Sequence, residues 1–191
     1  MKALKAMTAA VLVMMGLCAV LLCAPAQESV NQDSAVLKDF EKRVADYVKL
    51  HKIARSEVHG LKPTTSAEEI EHHEHRLANG IRESRRGAVQ GDVFTAEIAA
   101  EIRRLIATTM QGPEADRIRK SLQRAAPVYL KAIRVNQTYP AGVPLQSTPP
   151  SILLNLPALP PELEYRLVGQ ALILRDIEAN LIADFIPNAI P

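Results

Sequence analysis

The five histidines of this 191-residue chain all fall between positions 51 and 75. Imidazole nitrogens bind borderline divalent metals such as nickel, cobalt, zinc and copper, and a nearby carboxylate oxygen can complete such a site. His72 and His75 lie three positions apart, so in a helix they share one polar face. Three histidines also follow a glutamate by four positions, a spacing that favours acid–imidazole contacts along a helix. His72 and His75 are therefore candidate metal ligands.

A second arrangement would bring together histidines from two different helices. If two antiparallel helices meet around residue 62 or 63, positions that face each other have numbers adding to roughly 125. His51 then faces His73 and Glu74. We therefore predict a two- or three-ligand metal site formed by His51 and His73, with Glu74 as the third ligand. In the alternative interpretation, the histidines form solvated ion pairs on a capped helix and bind no metal.

The familiar signatures of catalysis are missing from the sequence. The pair 73–74 begins a zinc-protease motif, but the second histidine of that motif would fall on Leu77. There is no G-x-S-x-G turn, no phosphate loop and no dinucleotide fingerprint. We therefore do not expect an enzyme. One alternative stays open, hydrolysis by two of the carboxylates near the C terminus, which are Asp176, Glu178 and Asp184.

Helices must position the histidines, and apolar residues recur at helical spacing through the first half of the chain. Gly60 and Pro63 end the first predicted helix, which contains His51. The second begins at Thr65 or Ser66, because each of these residues has a glutamate three positions later, as in a capping box. The predicted helices cover about 34–59, 65–88, 95–110 and 112–125.

The second half of the chain has a different character. Residues 128–136 are rich in valine, isoleucine and tyrosine and predict either a strand or a continuing helix. Seven prolines between 140 and 161 predict an extended segment that lies against the domain. After it we predict a β-hairpin, with a bulge at Gly169 in its first strand. The hairpin consists of strands 164–174 and 181–186 and the turn 176–180.

The first 26 residues have the three parts of a secretory signal peptide. Lys2 and Lys5 precede the uncharged apolar run 6–23, and small residues place cleavage near Ala26-Gln27. Both cysteines lie in this segment, so the mature chain would have no disulfide and no thiolate metal site. We predict a periplasmic or extracellular protein without a stable membrane span after cleavage. The alternative is that the apolar run is kept as an anchor.

Charge and aromatic content also bear on possible partners. Removing the two lysines of the signal segment from 23 basic residues leaves 21, which equals the number of acidic residues. Aromatic residues make up 4% of the chain and are not interleaved with basic ones. Stacking platforms for bases are therefore lacking, and we expect no binding to nucleic acid.

The ending LPPELEYRLVG…LILRD…LIADFI resembles the C-terminal hairpin of the periplasmic nickel/cobalt-homeostasis regulator family. The resemblance covers less than a fifth of the chain, and the chain as a whole is similar to secreted bacterial proteins with the same ending. It implies a periplasmic location and a hairpin, and its pattern includes no metal ligand. The matching residues are Tyr165, Arg166, Val168, Gly169, Leu172, Leu174, Asp176, Ile182, Asp184 and Ile186.

Together these patterns predict an α+β fold in which about four helices are followed by a small antiparallel hairpin packed on them. The expected regions are 27–139 (helical), 140–161 (proline-rich) and 162–191 (hairpin), with 27–191 forming one domain. We expect an exported, non-enzymatic envelope protein that binds a partner in the envelope. The alternative function is periplasmic metal binding or metal sensing by the histidine-rich helical hairpin. The sequence does not predict an oligomeric state.

Overall fold

The computed structural model describes residues 25–124, 132–139 and 148–191. Most of the predicted signal peptide and part of the proline-rich segment lie outside these ranges. By its internal contacts the chain divides into two units, Met1–Ala35 and Val36–Pro191. Helix α1 begins in the first unit and ends in the second, and all later elements belong to the second. The described helices are α1 Pro25–Glu57, α2 Ala67–Ser84, α3 Ala96–Thr109, α4 Ala115–Arg124 and α5 Pro150–Leu153.

Three antiparallel strands follow in the order β1-β2-β3, which confirms the predicted α+β fold. The strands are β1 Leu163–Val168, β2 Ala171–Asp176 and β3 Leu181–Ile186. None of the described helices is long and apolar enough to cross a membrane.

Two helices begin close to their predicted starts at Ser66 and Thr95, and in both the residue at the start is an N-cap. The Ser66 hydroxyl accepts a hydrogen bond from the Glu69 amide at 3.3 Å, and Thr95 caps α3 through the Ile98 amide at 3.3 Å. Each bond satisfies one of the amide groups that a helix leaves free at its N terminus. The Ser66 amide donates to the Thr64 hydroxyl, so only half of the predicted capping box is formed.

The apolar faces of the helices and one face of the sheet share a core. Phe40 on α1 is fully buried and stacks on Phe94, with ring centroids 5.6 Å apart. The same cluster includes Leu77 on α2 and Leu172 on β2. All six residues of the central strand β2 are buried, so this strand lacks the alternating burial of a solvent-facing strand.

The predicted strand 164–174 is in fact two strands. Gly169, where the sequence predicts a bulge, has a φ of 58° and forms a tight turn, so that Val168 pairs with Ala171. Glycine suits this position because side chains rarely adopt a positive φ. The irregularity in the sheet lies between Leu174 and Arg175 where they pair with β3. Within the described part of 128–136 there is no regular strand.

A buried aspartate on β3 holds the loop that precedes α3. The Asp184 carboxylate is fully buried and accepts hydrogen bonds from the amides of Val93 and Phe94, both at 2.8 Å. It also accepts from the Gly91 amide, at 3.1 and 3.2 Å to its two oxygens. Burial raises the pKa of Asp184 even though these amides favour its ionised form. The carboxylate thus ties the loop to the sheet.

Candidate functional site

One face of helix α1 carries three polar side chains spaced four residues apart, namely Tyr47, His51 and Arg55. Residues at this spacing lie above one another along a helix. Tyr47 and His51 are 4% and 1% exposed, whereas the Arg55 side chain is 61% exposed. The row therefore runs from the interior to the surface as α1 approaches its end.

The last residue of β2, Asp176, faces this side of α1. The fully buried Asp176 accepts a hydrogen bond from the Tyr47 hydroxyl at 3.0 Å and lies 2.6 Å from Nδ1 of His51. Its other oxygen accepts from the Ala179 amide at 2.9 Å and shapes the turn. An ionised carboxylate can only accept, so Nδ1 of His51 carries the hydrogen. Asp176 thus fixes the ring orientation and directs Nε2 away from itself.

Glu178, two residues further along the turn, lies between two imidazoles. One of its oxygens is 3.3 Å from Nε2 of His51, and the other is 3.2 Å from Nε2 of His73 on α2. The Arg55 Nε group also donates to this second oxygen, at 2.9 Å. Within the described part of the chain, His51 Nε2 and His73 Nδ1 are buried and have no hydrogen-bond partner. Such atoms are rare in folded proteins and frequently mark the place of a water or an ion.

Two carboxylates and burial set the proton affinities here. Burial lowers the pKa of His51, but the hydrogen bond and charge of Asp176, with a further contribution from Glu178, raise it overall. Burial raises the pKa of Glu178, but the hydrogen bond from His73 and the charge of Arg55 lower it overall. Burial, reinforced by the charge of Asp176, raises the pKa of Tyr47 well above its usual range. The cluster therefore favours a positive charge at His51 and a negative charge at Glu178.

A positive charge at this place can be a proton or a metal ion. Two tetrahedral zinc ligands at their usual bond lengths are about 3.3 Å apart, close to the separation of Glu178 from each imidazole. With Glu178 placed between the rings, however, no group of three or more His, Cys, Asp or Glu side chains in the described ranges is already arranged to hold a metal. A metal at these residues would therefore need side-chain positions other than those of the structure.

Only two of the five predicted metal ligands lie in this cluster. His51 and His73 both reach Glu178 from different helices. Glu74 is half-buried, His72 and His75 are exposed, and none of these three contributes a contact to the cluster. From the sequence, Asp176 and Glu178 are candidates only for hydrolysis by two carboxylates, and no pattern places them, Tyr47 or Arg55 beside the histidines. The four-residue spacing of Tyr47, His51 and Arg55 is the signal that could have identified the α1 side.

No family model, curated protein or solved structure matches the chain.

Proposed function

We propose that this protein is an exported metal-binding protein whose site is formed by His51, His73 and Glu178. The observation that carries the proposal is that two buried imidazoles from separate helices contact one carboxylate, His51 Nε2 at 3.3 Å and His73 Nε2 at 3.2 Å. Two nitrogens and one carboxylate form a donor set typical of zinc sites that keep one position open. Nickel, cobalt and copper also accept these donors.

The contact between Asp176 and the second ring nitrogen of His51 supports this proposal. Histidine ligands commonly donate their second ring N–H to a carboxylate, which fixes the ring and makes the coordinating nitrogen more basic. The 2.6 Å contact between Asp176 and Nδ1 of His51 has this form. His51 would then bind the metal through Nε2, with Asp176 as a positioning residue.

The proposal is tested by adding Zn²⁺, Ni²⁺, Co²⁺ or Cu²⁺ to the purified protein and measuring binding by calorimetry and thermal unfolding. We expect one ion per chain. A metal at a hundred times its Kd should stabilise the fold by about 2.7 kcal/mol. For a domain of this size, that corresponds to an increase in Tm of about 5 to 11 °C.

Substitutions locate the site. Glu178 is a turn residue with a partly exposed side chain, so Glu178→Gln should leave the fold intact. It should remove the stabilisation of the fold by metal. His73→Gln should do the same. The matched control is the double substitution His72→Gln/His75→Gln, which removes two exposed imidazoles from the same helix. If no metal stabilises the unsubstituted protein, or if the control loses binding while Glu178→Gln keeps it, the proposal is wrong.

Binding of an envelope partner, expected from the sequence, stays a prediction. A groove of about 500 Å³ lies between α1 and residues 158–160, and among its apolar helix residues only Ala45 is exposed, since Val44 and Val48 are buried in the core. Val44, Ala45 and Val48 line the helix side of the groove.

A further inference from the structure

A pocket of about 310 Å³ lies between α1, the residue that follows α2 and the loop before α3. This volume is at the lower end of the range for small-molecule sites, which is about 300 to 1,000 Å³. Among the described residues that line the pocket, three are basic and three are acidic, namely Lys42, Arg43, Arg85, Asp39, Asp46 and Asp92. A small ligand that carries both charges would therefore complement this pocket better than an ion of one sign.

Arg85, the residue that follows α2, is a buried cation held in a fixed position. Only 9% of its side chain is exposed, and its guanidinium lies over the Tyr47 ring, 5.0 Å from the ring centroid. Its Nη1 group donates to the Ala183 carbonyl and to the side-chain oxygen of Asn136, both at 3.2 Å. The Asn136 side-chain amide in turn donates to the Arg85 carbonyl at 3.1 Å. These contacts orient the guanidinium before any ligand binds.

The other nitrogens of this guanidinium lack an acceptor. Within the described ranges, neither Nε nor Nη2 of Arg85 donates a hydrogen bond. Nη2 is 3.9 Å from Oδ2 of Asp92, which is too long for a hydrogen bond, and this oxygen accepts from the Val89 amide at 3.0 Å. The planar fork of an arginine binds a carboxylate through two parallel N–H donors. Arg85 can therefore bind the carboxylate of a ligand in the pocket.

Asp92 is placed to bind a positive group of the same ligand. Its side chain is 42% exposed and lines the same pocket. In an amino acid the ammonium group is one carbon away from the carboxylate, so a ligand held by Arg85 brings its ammonium group close to Asp92. The other four charged residues form two ion pairs on α1, Arg43 with Asp39 at 2.8 Å and Lys42 with Asp46 at 3.1 Å. Within the described lining, Arg85 and Asp92 are thus the two charged side chains not already held in a short ion pair.

We propose that this pocket binds a free amino acid, with Arg85 binding its α-carboxylate and Asp92 its α-ammonium group. A zwitterion adds no net charge to a pocket whose six charged residues already balance. A phosphate or another multiply charged anion would instead meet three carboxylates. Tyr47 is the one described residue that this pocket shares with the histidine cluster, so the proposal does not depend on metal binding.

The test measures binding of the standard amino acids to the purified protein by calorimetry. EDTA is included, because free amino acids chelate divalent metals and would otherwise report on the proposed metal site. We expect at least one amino acid to bind with a Kd below about 1 mM. Acetate and methylamine each carry one of the two charges, so each should bind at least about tenfold more weakly than that amino acid.

Substitutions locate the site. Arg85→Lys keeps the positive charge but loses the fork of N–H donors, so it should weaken binding of the amino acid by about tenfold or more. Asp92→Asn keeps an oxygen for the Val89 amide and removes the charge, so it should weaken binding by about three- to fivefold. The matched control is Arg86→Gln, which removes an exposed arginine outside the lining of the pocket and should change the affinity by less than about twofold.

Thermal unfolding without ligand shows whether each variant folds, and Asp92→Asn carries the test if Arg85→Lys does not fold. The proposal is overturned if no amino acid binds, or if acetate binds as tightly as the amino acids. It is also overturned if the folded variants at positions 85 and 92 bind no more weakly than Arg86→Gln. None of these results bears on the metal site, because EDTA removes divalent metals from every measurement.

Discussion

Removing the Asp176 side chain should destabilise the protein severely, because three buried donors depend on it. Asp176→Ala leaves the Tyr47 hydroxyl, His51 Nδ1 and the Ala179 amide without their acceptor. Each unsatisfied buried donor costs about 1 to 3 kcal/mol. Removing a buried charge returns part of that sum, so we expect a loss of about 3 to 5 kcal/mol, as for other buried pairs that lose one partner.

Urea unfolding followed by circular dichroism at pH 7 measures this loss. A loss of that size is a large part of the unfolding free energy of an ordinary domain, which is about 5 to 15 kcal/mol. Asp176→Asn keeps one carbonyl acceptor and provides a milder variant if Asp176→Ala does not fold. The control is Asp116→Ala, since Asp116 is 86% exposed and its removal should change stability by less than about 0.5 kcal/mol.

A double-mutant cycle with His51→Ala isolates the pair itself. Side chains that share a buried hydrogen bond show coupling energies of about 0.5 to 3 kcal/mol. Because His51 and Asp176 are almost fully buried and 2.6 Å apart, we expect a coupling of at least about 1 kcal/mol. A loss in Asp176→Ala no greater than in the control, or additive effects in the cycle, would refute the reasoning that this contact organises the cluster.

Three further predictions concern the scaffold. Asp184→Ala should lower the unfolding free energy measured in urea by about 2 to 4 kcal/mol, because the Phe94 amide and its neighbours lose a buried acceptor. A decrease below about 1 kcal/mol would contradict this prediction. Burial alone would raise the pKa of Glu164, but hydrogen bonds from arginines that include Arg175 lower this pKa overall. The ionised form of Glu164 therefore stabilises the fold at pH values above 4.5, the usual pKa of a glutamate. Glu164→Gln should therefore be destabilising at pH 7, and the difference in unfolding free energy should shrink as the pH falls below 4.5; a difference that does not change with pH would argue against the ion pair. Ser66→Ala should cost about 1 kcal/mol in thermal unfolding by removing the cap of α2, and an unchanged Tm would count against the cap.

Local signals in the sequence were sufficient for the starts of α2 and α3, whereas α1 begins at Pro25 instead of about residue 34 and α4 at Ala115 instead of 112. Ser66 and Thr95 cap helices through amides three residues later, so everything needed to predict these starts lies within one turn. The sheet was harder. Gly169 is compatible with both a bulge and a tight turn, and the choice depends on strand pairing that a single strand does not reveal.

The candidate site divides in the same way. His51 and His73 lie on consecutive helices, so a simple antiparallel register was enough to predict that they approach each other. Asp176 is 125 residues from His51 along the chain, and Glu178 is 105 residues from His73. Contacts at that separation depend on how the sheet packs on the helices, and no pattern within either segment specifies it.

The hydrogen bonds that Asp184 accepts from the loop before α3 affect how readily this loop opens. Amides in loops generally exchange their hydrogens with solvent quickly, because loops open at low free energy. Here the Val93 and Phe94 amides are bound to a fully buried carboxylate on β3, so they can exchange only when the loop separates from the sheet. Their deuterium uptake should therefore be as slow as that of the strand residues, and this loop should open together with the core instead of independently of it.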